Sequence, residues 1–257
     1  MTPLVPNCVV VRVPGKVNLQ LSVGPKEDDN FHGVVTVFQA ISLFDDVTVV
    51  RGDSGTGISV QILGDHTHGV PSDGTNLSAR AAALMCEKYD LSMDLSIEIK
   101  KSIPVAGGMA GGSADAAATI VAIDALFSLG LSRDEMHEIA AMLGSDVPFM
   151  LAGGTAVGRG RGDQVTSALS RGTYHWVLAL STAGLSTPAV YGECDRLRAG
   201  MDVATPHVND QLLQALLAAD PVALGKGLIN DLQAAACSLR PALRLILDVG
   251  SEYGALG

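Results

Sequence analysis

Four glycines fall within six residues at Gly107-Gly108-Met109-Ala110-Gly111-Gly112, between a strand-like run (Leu95 to Lys100) and a helix-like run (Ala114 to Phe127). No other feature constrains the fold as strongly. Glycine there strips side chains from a loop at the mouth of a helix. Exposed backbone N–H groups and the positive end of the helix dipole then converge on one place. Such a loop is an anion cradle, and phosphate is its usual occupant. A tight strand-to-helix turn that needs small residues for packing reads the same way. No Gly-Lys-Ser/Thr closes the loop and no G-x-G-x-x-G occurs, so it is neither a P-loop nor a dinucleotide fingerprint.

The flanking sequence supplies alternating strands and helices. Cys8 to Val13 reads as a strand ended by Pro14-Gly15, and Val17 to Val23 as a second. Val34 to Phe44, Val47 to Arg51 and Ile58 to Leu63 read as further strands. Asn76 to Lys88 has helical spacing, with Asp73 or Thr75 as its cap. Ser132 and Glu135 predict a capping box for a helix ending near Leu143. Phe149-Met150-Leu151 is strand-like, and Gly153 to Gly162 reads as a glycine-rich connection. A strand over Trp176 to Leu180 follows, then helices from Pro188, over Asn209 to Ala219, Pro221 to Gly227 and Pro241 to Asp248. This order predicts α+β layers rather than a doubly wound sheet. A length of 257 residues allows two modest domains. The expected boundary separates residues 1–165 from 166–257.

Several function classes are disfavoured. A net charge of −10 argues against nucleic acid as the main partner. Cys8, Cys86, Cys194 and Cys237 are scattered without a C-x-x-C, which fits a reducing cytoplasm. No apolar run is long enough to span a membrane. His66 and His68 beside Asp65 make a poor metal site, and the sequence identifies no metal ligands. A hydrolase has no G-x-S-x-G here.

Two short segments join the loop as candidate chemistry. Lys16 and Asn18, two apart on a strand, point to one face beside apolar Val17 and Leu19. Polar edge-strand residues facing solvent would fit the same pattern. Asp146, in Gly144-Ser145-Asp146-Val147-Pro148, is a carboxylate among apolar residues that calls for a positive partner. A turn-forming Asp is the plainer reading. Together, a phosphate cradle, a lysine and a carboxylate are what phosphoryl transfer requires.

The three segments, in this order, resemble the motifs of the GHMP kinases. Pro14 to Leu19 resembles the first motif, Pro104 to Ala117 the glycine-rich second, and Gly144 to Pro148 the segment of the catalytic aspartate. The resemblance spans nearly the whole chain. Asp29-Asn30-Phe31-His32 with Thr36, and Thr187-Pro188-x-x-Tyr191, resemble the branch that phosphorylates the 2-hydroxyl of 4-diphosphocytidyl-2-C-methyl-D-erythritol in the non-mevalonate isoprenoid pathway.

That resemblance implies a two-domain α+β fold. A domain like ribosomal protein S5 domain 2 would pack on a ferredoxin-like domain, with the site between them. It implies Asp146 as general base, with Lys16 holding the hydroxyl and carboxylate in register. Asn18 would orient the methylerythritol and His32 would bond the cytosine edge. Phe31 and Tyr191 would stack on the base, with Thr187 in the same segment. ATP and magnesium would be held by Pro104, Gly107, Gly108, Met109, Ala110, Gly111, Gly112 and Ser113, with Asn76 and Lys101 lining the nucleotide pocket. The partner is a small molecule, and a monomer or weak homodimer is expected.

Six residues depart from the family pattern. Phe31 stands for Tyr, Asn30 for Gly, Gly15 for Ala, Met109-Ala110 for Leu-Gly and Ala114 for Ser. A third glycine motif, a strand and a helix are expected beyond Gly257, so the C-terminal domain reads as truncated. The alternatives are another GHMP kinase, of homoserine or mevalonate type, or a non-catalytic nucleotide-binding protein.

Overall fold

The computed structural model describes residues 7–105, 107–181 and 184–257. Ala106 of the glycine loop lies outside them. The chain divides into two compact units. One comprises the chain up to Val17 with Ala40–Gly153, the other Asn18–Gln39 with Gly154–Gly257. Strands β1 (Cys8–Lys26) and β2 (His32–Arg51) give one half to each unit.

The first unit adds β3 (Ile58–Gly64) and β4 (Leu95–Lys101), in the order β3-β4-β2-β1. β2 and β4 are antiparallel, pairing Val47 with Ile99 and Val49 with Ile97; all four side chains are buried. Strict alternation along β4 turns Leu95, Ile97 and Ile99 inward and Ser96, Glu98 and Lys100 outward. The same alternation carries Lys101 into the interior. Helices α1 (Leu77–Lys88), α2 (Gly111–Phe127), α3 (Arg133–Leu143) and α4 (Val147–Ala152) complete this unit. α2 is apolar nearly all round, with Ala114, Ala116, Ala117, Ile120, Ile123 and Leu126 buried. It therefore lies within the core rather than over it.

The second unit contains β5 (Thr155–Arg159), antiparallel to β2 and to β6 (Gln164–Ser167). β7 (Ile229–Asn230) runs parallel to β1. Helices α5 (Thr187–Leu197), α6 (Asp210–Ala218), α7 (Pro221–Gly227), α8 (Gln233–Leu239) and α9 (Ala242–Glu252) complete it. Val190 and Cys194 of α5 pack on Ala235 of α8, with Leu185, Leu232 and Ala236 around them. Among the described residues, no helix is long and apolar enough to cross a membrane.

The structure differs from the sequence reading in six places, the first being Gly153 to Gly162, where β5 occupies Thr155–Arg159 instead of a connection. β1 runs through Pro14-Gly15 without a break, because the following Lys16 N–H finds the Met109 carbonyl at 3.2 Å. Val34 to Phe44 and Val47 to Arg51 form one strand. Asn76, rather than Asp73 or Thr75, caps α1, its side chain accepting from the Ser78 N–H. Phe149 to Leu151 is helical, because Pro148 in the first turn favours a helix start there. Trp176 to Leu180 forms no strand, and Val177 is 98% exposed. The Ser132–Glu135 capping box is present as expected.

Candidate functional site

In the first unit the glycine loop closes onto a bare helix end. Ala110, at the N-cap of α2, is left-handed with φ 57° and offers no side-chain cap. The first turn of α2 carries no acidic residue either. Gly107, Gly108 and Gly112 are exposed, while Met109 is buried and anchors the loop from within. An uncapped helix N-terminus next to open glycines is the arrangement a polyphosphate needs. The residues present thus fit the phosphates of a nucleotide.

The catalytic candidates meet in the same unit. Lys16 Nζ stands 3.9 Å from Asp146 Oδ2. The Lys16 side chain is 7% exposed and that of Asp146 35%. Burial pushes the lysine below its ordinary range, and the Asp146 charge offsets part of that push. Because the Lys16 N–H is bound to the Met109 carbonyl, the strand bearing the lysine is fixed to the loop. A Cβ at Gly15 would meet its neighbours no closer than 3.5 Å, so the alanine common at that position would fit.

Asn76 is buried, and both ends of its amide serve local backbone. Oδ1 accepts from Ser78 N at 2.8 Å and Nδ2 donates to the Pro71 carbonyl at 2.7 Å. Pro104 is half-buried at the start of the loop. Lys101 lies beneath the loop. Its Nζ bonds Asp115 Oδ2 at 2.7 Å and also Asp45. Asp45 in turn accepts from the Ser102 and Ile103 N–H groups. Asp115 Oδ1 is buried without a hydrogen-bond partner. Burial raises the Asp115 carboxyl to about 7, although Lys101 opposes the shift. One ammonium serves two buried carboxylates, so one negative charge is in surplus. Sequence reasoning missed Asp45 and Asp115. A lone acid in the alanine-rich face of α2 was the available signal for Asp115.

The second unit holds the remaining candidates. Asn18 Nδ2 donates to Thr36 Oγ1 at 2.7 Å, and that hydroxyl donates to the Gln20 carbonyl at 2.7 Å. The turn before β2 is closed by Asn30 N–H to the Glu27 carbonyl and by Phe31 N–H to Asp29 Oδ1. Asn30 has φ 67°, a left-handed position that asparagine tolerates better than most residues, so it can replace glycine there. Phe31 is 52% exposed, and the Arg161 guanidinium sits 3.8 Å from its ring centroid. Arg161 also bonds Asp29 at 2.6 Å.

His32 is buried by its side chain, with Nε2 2.7 Å from Asp195 Oδ1. The Tyr191 ring lies 5.2 Å from the His32 ring at a 37° tilt. Thr187 is exposed in the first turn of α5. The structure thus brings His32 and Tyr191 together, while Phe31 is faced by Arg161. Asp195 and Arg161 were not foreseen. The i,i+4 spacing of Tyr191 and Asp195 on one helix was the only sequence signal for the former.

Comparison with known proteins follows the same residues. The pattern described as GHMP kinases N terminal domain matches residues 76–154. The chain is 52% identical over 250 residues to a 4-diphosphocytidyl-2-C-methyl-D-erythritol kinase of Mycolicibacterium smegmatis, covering 96% of this chain and 77% of the relative. A crystal structure of a 4-(cytidine 5'-diphospho)-2C-methyl-D-erythritol kinase matches at TM-score 0.68 and 28% identity, covering 93% of this chain and 81% of that one. Mevalonate kinase from L. major, solved with R-mevalonate, matches at TM-score 0.73 and 17% identity, covering 100% and 85%. That last likeness concerns the fold alone.

Proposed function

The chain belongs to the GHMP kinases and is an ATP-dependent small-molecule kinase, and on that premise we propose that its acceptor is the 2-hydroxyl of 4-diphosphocytidyl-2-C-methyl-D-erythritol. The name carried by relatives at about half identity supports this acceptor. The observation that carries the chemistry is the Lys16–Asp146 pair, fixed through the Lys16 backbone to the phosphate loop.

In this reading Asp146 accepts the proton of the 2-hydroxyl as that oxygen bonds to the terminal phosphorus of ATP and ADP leaves with the bridging oxygen. Asp146 is the more exposed partner of the pair, so it can reach a substrate while Lys16 stays buried. Lys16 holds the carboxylate in register and offsets the negative charge that develops on the transferring group. The N–H groups of the loop from Gly107 to Ser113 hold the phosphates, with Pro104, Met109 and Ala110 shaping the loop. Asn76 and Lys101 support that pocket from α1 and from beneath. When bound, ATP supplies the phosphoryl group and magnesium shields its charge.

Magnesium would be held chiefly through the nucleotide's phosphates, as is usual for this ion in kinases. Among the described residues, no three His, Cys, Asp or Glu side chains form a group that could hold a metal on their own. In the second unit, Asn18 orients the methylerythritol, His32 bonds the base edge, and Phe31 and Tyr191 flank the ring, with Thr187 opening the helix that carries Tyr191. We assign residues 1–165 to the nucleotide-binding domain and 166–257 to the ferredoxin-like one. We place the reaction in the cytoplasm, where the four free thiols would stay reduced, and expect a monomer or weak homodimer.

The test is ADP release by wild type and Asp146→Asn, with the cytidyl compound, mevalonate and homoserine offered separately. Turnover of the cytidyl compound alone, lost in the variant, is the expected result. Turnover of another alcohol would overturn the acceptor. ATP binding without turnover of any would leave a nucleotide-binding protein.

A further inference from the structure

We propose that Asp195 is a specificity-determining residue: by fixing which nitrogen of His32 carries the proton, it makes the second unit select cytosine over uracil. The proposal rests on the reading of His32 as the base-edge contact given above. Its own footing is the group of His32, Asp195, Lys26 and Tyr191, all within one compact unit.

A carboxylate can only accept, so the 2.7 Å contact requires a hydrogen on His32 Nε2. That alone leaves two forms of the ring, neutral and doubly protonated. Two observations favour the neutral one. Lys26 Nζ is 3.5 Å from the other oxygen of Asp195, so the carboxylate already faces a cation. The His32 side chain is only 7% exposed, so a second positive charge there would be both desolvated and poorly compensated. The neutral ring with its hydrogen on Nε2 presents Nδ1 as a bare lone pair.

A lone pair at that position asks for a donor. Cytosine carries an amino group at C4, which donates. Uracil carries an oxygen there, which accepts, so two acceptors would face each other unpaired. Leaving such a pair buried costs roughly 10–100-fold in affinity. Tyr191 and Asp195 lie one turn apart on α5, whose adjacent stripe, Val190 and Cys194, is packed on α8. One anchored helix therefore presents the aromatic ring against His32 and also sets its tautomer.

The test compares wild type and Asp195→Asn on the diphosphocytidyl and diphosphouridyl forms of methylerythritol, with the nitrogen NMR spectrum of the His32 ring recorded for each protein. An asparagine amide can donate to Nε2, which moves the ring hydrogen to Nδ1. Wild type should prefer the cytidine compound, and the variant should lose ~10-fold or more of that preference through KM. Saturated kcat on the cytidine compound should stay within about 3-fold of wild type. The wild-type spectrum should show the hydrogen on Nε2 and the variant's should show it on Nδ1. Unchanged preference in a folded variant whose ring hydrogen sits on Nδ1, equal loss on both substrates, or a wild-type ring protonated on Nδ1 would each overturn the proposal. If the variant does not fold, the wild-type spectrum decides alone. A wild type that turns over neither compound removes the substrate reading itself and this proposal with it. A wild type that turns over both equally removes only the role of His32 and Asp195.

Discussion

Two lysines of the first unit are buried to similar depth, Lys16 at 6% and Lys101 at 2% exposure, yet their surroundings differ. Lys101 bonds two buried carboxylates and sits under the loop. Lys16 stands 3.9 Å from one carboxylate that is itself a third exposed. The first arrangement is closed to solvent on both sides of its ion pairs. The second leaves a charge within reach of an incoming group. Burial alone therefore does not separate a structural lysine from a chemical one. The exposure of its counter-charges does.

Substitutions at the two lysines should break this comparison most sharply. Lys101→Met leaves Asp45 and Asp115 buried without their cation, and should cost ~3–5 kcal/mol of stability by chemical denaturation. Lys16→Met removes a buried charge whose counter-ion Asp146 stays a third exposed, and should cost clearly less stability than Lys101→Met. Equal losses at both sites would erase the distinction. Next in size is Asp146→Asn, which should lower turnover at least ~100-fold with an unshifted melting temperature.

A third test is the pH dependence of stability. Asp115 titrates at about 7 in the folded chain against an ordinary value of 3.8. Between those values the native state holds a proton that the unfolded chain has released. The stability this confers is full below pH 3.8 and is lost as the pH rises through about 7. Denaturation midpoints should fall over that window with a slope of at most ~1.4 kcal/mol per pH unit, and Asp115→Asn should flatten it. The smallest effect belongs to Asn76→Ala, which removes the α1 cap and should cost about 1 kcal/mol. A rise in KM for ATP beyond what Asn76→Ser shows would add a nucleotide contact to that cap.

Much of this geometry was legible in the sequence, and the gaps have physical causes. The loop and α2 were visible because glycines end where a largely apolar, alanine-rich run begins. The alternation Leu95-Ser96-Ile97-Glu98-Ile99-Lys100 already turned position 101 inward. What could not be read was its partner, since Asp45 lies 56 residues away on another strand. The hairpin of β5 and β6 was hidden by its glycines. At Gly158 a Cβ would stand 2.8 Å from the Phe38 ring, so the glycine makes room for strand packing rather than for a turn. Phe149 to Leu151 failed for another reason. Three apolar residues fit a strand or a helix equally, and Pro148 upstream tips the choice to helix. At the base-reading end, His32 came from the family resemblance. Asp195 could not, because a carboxylate on an exposed-looking helix carries no mark of the ring it will meet.

Gly111 shows how far the buried cluster reaches. A Cβ at this position would lie 3.1 Å from Lys101 Nζ and 3.2 Å from Ile103 Cγ2. A lysine on a mobile stem could swing away, but this one is held by two carboxylates. The identity of residue 111 is therefore dictated from below, by a lysine that is itself held in place. A search for variants that bind altered nucleotides would find this position closed for as long as Asp45, Lys101 and Asp115 remain in place. It would open only when the foundation and the loop are redesigned together.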